Sequence, residues 1–135
     1  MNPRTRQNLI TAMNCDATDA AKYSRFAARA RLDENWQLAR AFQDTADTDR
    51  AEHFPTEAEL GGIILNSPEN LRAAVDTERT EAAMLSTFAE QATADGDLEA
   101  ASVFRKISLD KVERLARFEA VLGEMGVHGD VRTVR

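Results

Sequence analysis

The sequence predicts an all-α fold, a four-helix bundle of two helical hairpins joined by a crossover connection. Three observations lead there. Glycine and proline are scarce, at 6 and 3 of 135 residues, while alanine, arginine and acids abound, a helix-forming composition. Asn2-Pro3 and Ser67-Pro68 place a capping residue before a proline, which marks a helix start. The chain also repeats itself at a shift of 62 residues.

The elements follow in order. Asn2 caps a first helix with Pro3 in its first turn, and Leu9, Met13, Tyr23, Phe26 and Ala30 carry its apolar face to about Arg31. Asp33-Glu34 opens a second helix through Trp36, Leu38, Ala39, Phe42 and Ala46, which stops before Pro55. Residues 55–67 hold Pro55, Gly61-Gly62 and Ser67 and read as a connection with one short helical turn at most. Ser67-Pro68-Glu69 begins a third helix, its acid facing the positive end of the helix dipole. Asp95-Gly96-Asp97 breaks the chain, and a fourth helix runs to about Leu122. Gly123, Gly126 and Gly129 then end regular structure. The domain is residues 1–122, with the repeat covering about 8–54 and 70–116 and a polar tail over 123–135. Two close helix pairs joined by a longer connection give the crossover topology.

The repeat is more than shared alanine. Asn8-Leu9 falls on Asn70-Leu71, Ser24 on Ser86, Phe26-Ala27 on Phe88-Ala89, and Phe42 on Phe104. Each phenylalanine pair is sixteen residues apart.

Bulk properties exclude several classes. A formal net charge of -6 would repel phosphate backbones, so no nucleic-acid partner is expected. Cys15 is the lone cysteine, which rules out an internal disulfide and a Cys-x-x-Cys metal knuckle. No apolar run would span a bilayer, and MNPRTRQNL lacks the apolar core of a signal peptide, so no membrane partner and a cytoplasmic compartment are expected. His128 lies in the Gly-rich tail and reads as solvated; Tyr23 and Trp36 read as core or interface aromatics. There is no Gly-rich phosphate loop and no Ser-His-acid pattern.

The motif Phe26-Ala27-x-x-Ala30, a short loop, then Ala39-x-x-Phe42, duplicated along the chain, resembles the rubrerythrin branch of the ferritin-like superfamily. The resemblance spans residues 8–122. It implies a carboxylate on the first helix of each half, Glu-x-x-His on the second, two irons between the helices, and peroxide reduction. It also implies a homodimer. The Cys-rich rubredoxin domain that many members carry has no counterpart in a chain with one cysteine.

By this resemblance the ligand positions are Asp16, Asp49, Glu52, Glu78, Glu81, Lys111 and Arg114. Residues three apart on a helix share a face, so a carboxylate and an imidazole at that spacing can grip a transition metal inside a bundle. Asp16 and Asp49 keep the charge with one methylene less than Glu, and Glu52 stands where His is implied. His53 is one step off register but four from Asp49, on the stripe Phe42, Ala46, Asp49, His53. Whether Glu52 or His53 faces the site stays open, as does His53 simply capping the helix end, where positive charge is favourable.

The fourth helix departs furthest. Ile107, Lys111, Arg114 and Phe118 form one stripe, with cations where a carboxylate and a histidine are implied. Both present only donors and would repel a metal. On the first reading, Lys111 and Arg114 replace the metals in an internal salt-bridge network, Arg114 with Glu78 and Lys111 with Asp16 or Asp49. The protein is then a non-catalytic bundle or interaction protein without cofactor. On the second, Asp16, Asp49, Glu52 or His53, and Glu81 hold iron or another divalent metal in an altered mononuclear or di-metal site of a peroxide-scavenging oxidoreductase.

Overall fold

A computed structural model describes the backbone of residues 1–133 and the side chains of residues 1–126. Helix is the one kind of regular structure among the described residues, which hold no strand. The helices are α1 (Pro3–Leu32), α2 (Trp36–Thr48), a π-helical turn (Asp49–His53), α3 (Phe54–Leu60), α4 (Ser67–Asp95) and α5 (Leu98–Thr133). Because α2, the π turn and α3 follow without a break, the chain has four helical rods, as the all-α, four-helix prediction requires. No helix of the described residues is long and apolar enough to cross a membrane. The chain divides into two compact units, Met1–Ile64 and Leu65–Arg135, each a helical hairpin.

In the first hairpin, the Asn2 side chain accepts a hydrogen bond from the Arg4 amide, which starts α1 as expected. The turn to α2 is one residue longer than Asp33-Glu34 suggests. Asn35 is the cap, its side chain accepting from the Leu38 amide, and Glu34 bends the chain with φ 58°. Gly96, 62 residues on, makes the same bend with φ 84° and ends α4. The cap of α4 is Asn66 rather than Ser67, its side chain accepting from the Glu69 amide at 3.0 Å.

Two segments expected to be irregular are helical. Residues 55–60, read as part of a connection, belong to α3 (Phe54–Leu60). Helix α5 runs past Leu122 to Thr133, so the tail expected from residue 123 is helical over most of its length. A glycine inside a helix costs about 1 kcal/mol, which lowers propensity without ending the rod, and no proline follows to stop it. The side chain of His128 lies outside the described residues.

The packing explains the repeat. Met13, Ala20, Ala27 and Ala30 on α1 and Ala39 and Ala46 on α2 are the buried residues of those helices. Shifted by 62, they become Val75, Ala82, Ala89, Ala92, Ala101 and Ser108, all buried in the second hairpin. Seven-residue steps (13, 20, 27 and 75, 82, 89) keep one face of each first helix on its partner. Small side chains on that seam let the two backbones approach closely. Ser108, the one polar member, donates its hydroxyl to the Ala82 carbonyl at 2.8 Å, so no buried hydroxyl is left unmatched. The phenylalanine pairs match as well: Phe26 meets Phe42 edge-on at 5.4 Å, and Phe88 meets Phe104 edge-on at 5.7 Å. Tyr23 joins the first pair, stacking on Phe42 at 6.0 Å, whereas Trp36 is exposed rather than in the core.

An alanine seam has no room for a larger side chain. Ala27→Leu and Ala89→Leu, at equivalent places, should each lower unfolding free energy by roughly 1–3 kcal/mol in urea titrations. Ala17→Leu, on the exposed face of α1, should change it little.

Candidate metal centre

The centre of the first hairpin is set by the passage from α2 to α3. Pro55 has no amide hydrogen to close a helical turn onto Ala51, and its ring crowds that carbonyl. The rod continues because the turn before it widens, with the Phe54 amide donating to the Asp49 carbonyl five residues back. The wider turn changes which side chains share a face. The residue three after Asp49 swings away, and the residue four after it stays in line. Glu52 is accordingly exposed, and His53 is the residue beside Asp49.

His53 Nδ1 lies 3.0 Å from Asp49 Oδ1 and 4.0 Å from Asp16 Oδ2, which reaches across from α1. Donor atoms of Asp16, Asp49 and His53 all lie within 4.8 Å of one another. Asp49 is buried, whereas the His53 side chain is 54% exposed, so the group opens to solvent on the imidazole side. One turn beyond His53, Glu57 lies beside this group, against Asp16. Its Oε2 is buried without a hydrogen-bond partner. Burial is the largest cause holding the Glu57 carboxyl above its ordinary value of 4.5; hydrogen bonding to Asp16 and the charges of Asp16 and Asp49 add to it, and His53 opposes it. Glu57 is the one member the sequence reading missed. Its signal was the spacing Asp49, His53, Glu57 in steps of four, hidden because Pro55 was read as the helix end.

The second hairpin holds a different centre at the matching height. Asp16 becomes Glu78 under the repeat, and Asp49 becomes Lys111. The Lys111 ammonium bridges two carboxylates of α4, at 2.6 Å from Glu81 Oε2 and 3.4 Å from Glu78 Oε2. The Lys111 and Glu78 side chains are 15% and 13% exposed. The hydrogen bond to Glu81 leads in raising Lys111 above its usual range; the charges of both glutamates add, and desolvation opposes. Lys111 therefore pairs within its own hairpin, and its partners are Glu78 and Glu81 rather than the expected Asp16 or Asp49. Arg114 is exposed, and the expected pair with Glu78 does not form. Helix α5 has no widened turn, so Arg114 takes the register of His53 and Phe118 that of Glu57. The second hairpin thus supplies neither an imidazole nor a third carboxylate. Of the predicted site residues, the structure joins Asp16 with Asp49 and His53, joins Glu78 and Glu81 with Lys111, and leaves Glu52 and Arg114 outside both groups.

The chain is 31% identical to a rubrerythrin of Porphyromonas gingivalis over 135 positions, covering 90% of this chain and 68% of that protein. The chain belongs to the rubrerythrin family. No family model matches it. The lysine-bridged second centre is the point where this rubrerythrin relative departs from the ligand pattern implied by its resemblance.

The donor set of the first hairpin suits one metal ion in type, and its three donor atoms lie within 4.8 Å of one another. Ligand atoms bound to one ion at about 2.1 Å lie roughly 3–4 Å apart, and the His53 distances of 3.0 and 4.0 Å fall in that range. One nitrogen with two or three carboxylates suits iron(II), manganese(II) or zinc. The second hairpin does not suit one, since an ammonium already lies between its two carboxylates.

Two expectations follow. A Glu57 pKa raised in the folded state favours folding below its unfolded value, and that contribution is lost as pH rises through the folded value. Glu57→Gln should therefore stabilise chelator-treated protein at pH 7.5, with the advantage fading toward pH 4.5 in thermal melts. Pro55→Ala should let the widened turn relax to α-helix and carry His53 away from Asp49; the His53 Nδ1 and Asp49 chemical shifts would report the separation by NMR.

Proposed function

We propose that this chain is a one-metal member of the rubrerythrin family. Its first hairpin binds a single divalent transition metal through Asp16, Asp49 and His53, with Glu57 as a further carboxylate. The observation that carries this reading is the convergence of three donor atoms of the right type within 4.8 Å, produced by a π turn that brings the histidine into register. Widened helical turns of this kind occur frequently at functional sites. A bound ion would offset the negative charge that three neighbouring carboxyls concentrate, and would give the unpartnered Glu57 oxygen a partner.

The open His53 side favours a working site over a sealed structural one, because a closed site keeps no coordination position for a small reactant. A redox role of the peroxide-reducing type, as the family resemblance implies, is the activity this geometry could host. A peroxide takes two electrons, more than one metal ion exchanges in a single redox change, so that reading includes an external electron donor. Self-association as a homodimer belongs to the same proposal, supported by the exposed apolar side chains Trp36, Leu98 and Leu109.

Elemental analysis of gently purified protein tests the reading. One iron, manganese or zinc per chain is expected, lost in His53→Ala and Asp49→Asn and kept in Glu52→Gln. Protein that arrives metal-free, takes up no added iron(II), manganese(II) or zinc, and melts identically with and without chelator would overturn it and return the first hairpin to a purely structural role.

A further inference from the structure

Hairpins whose helix seams match position for position carry centres of opposite design. Where the first has Asp49, the second has Lys111, and the lysine sits on the very carboxylate, Glu78, that corresponds to Asp16. The ammonium does what a cation between carboxylates does: it donates to two separate side chains, Glu81 at 2.6 Å and Glu78 at 3.4 Å, at the end of a largely buried stem. The seating is deep enough that Lys111 cannot be read as a surface pair. The exposed pair Lys106–Asp110, one turn away on the same helix, makes the contrast, its lysine being 77% exposed. Glu78 and Glu81 are three apart and share a face of α4, so the pair is arranged around Lys111 by helix geometry rather than by side-chain wandering.

We infer that the second hairpin contains a cation site whose occupant is the chain's own Lys111 ammonium, and that removing this side chain turns Glu78 and Glu81 into donors for a hard divalent ion such as manganese(II). The lysine-filled site stands on the second hairpin alone. Only the resulting count, one metal ion per chain instead of two, rests on the proposed first-hairpin site.

Manganese(II) titration of the full chain, stripped of metal and followed by the EPR signal of the free ion, tests it. His53→Ala silences the first centre, so His53→Ala alone should bind no ion tightly, and the double variant H53A/K111E should bind one. A folded double variant that binds none would overturn the inference. So would a His53→Ala protein that binds manganese at Glu78 and Glu81 with Lys111 still present, since the lysine would then not be filling the site. If the charge reversal unfolds the chain, H53A/K111Q serves instead. It should melt about 10 °C lower than His53→Ala, as expected for losing one partner of a mostly buried ion pair, and millimolar manganese should restore at least half of that loss while leaving His53→Ala unmoved. An unchanged melting temperature, or a loss that manganese leaves untouched, would overturn it. A parent protein that binds no manganese beside an H53A/K111E variant that binds one would sink the first-hairpin reading and keep this one.

Discussion

A proline that cannot donate one hydrogen bond governs the first half of this molecule. Pro55 lies in the middle of a continuous helical rod, and the rod survives by widening the turn before it. The widening does more than relieve a clash. It advances the register by one residue, so that His53 meets Asp49 and Asp16 while Glu52 turns to solvent. It also lets α3 continue, which brings Glu57 under the same three side chains. Without that turn the stretch would be an acidic helix face with its histidine pointing elsewhere.

The second half shows what the same scaffold does without the proline. Its seam repeats that of the first at every position, with Val75 for Met13 and Ser108 for Ala46, and its phenylalanines meet edge-on as their counterparts do. Only the centre differs. Carboxylates placed on facing helices need countercharge, because burying anions unpaired is strongly unfavourable. One hairpin sets an imidazole beside its carboxylates in an open group of donors, and the other bridges two glutamates with an ammonium. Duplication preserved the packing and let the electrostatics diverge, which is the expected order of constraint: a methylene added to a tight seam is felt at once, whereas a charge can be answered by a neighbour.

Much of this was legible in the sequence, and the reasons for the rest are physical. The Asn-Pro start and the paired phenylalanines fixed the hairpins, because capping and large apolar side chains act locally or at fixed spacing. The stripe Ile107, Lys111, Arg114 placed Lys111 on an inward face correctly. It failed for Arg114, whose position in a regular helix leaves a long side chain free to reach water. The partners of Lys111 were misjudged because the carboxylates within reach depend on how one helix lies against its neighbour, which spacing alone does not reveal. Glu57 was missed because a proline ordinarily ends a helix, and nothing in the residue pattern distinguishes an ending from a widened turn.

Lys111 also separates the two halves in their dependence on surroundings. A side-chain ammonium arrives with the chain, needs no uptake or loading, exchanges no electrons and is out of reach of any chelator. The second hairpin therefore has its countercharge from the moment it folds, in every copy and under every metal supply. An ion held at Asp16, Asp49 and His53 would vary with what the environment provides, so scarcity would act on one half of the molecule while the other half stayed as it was.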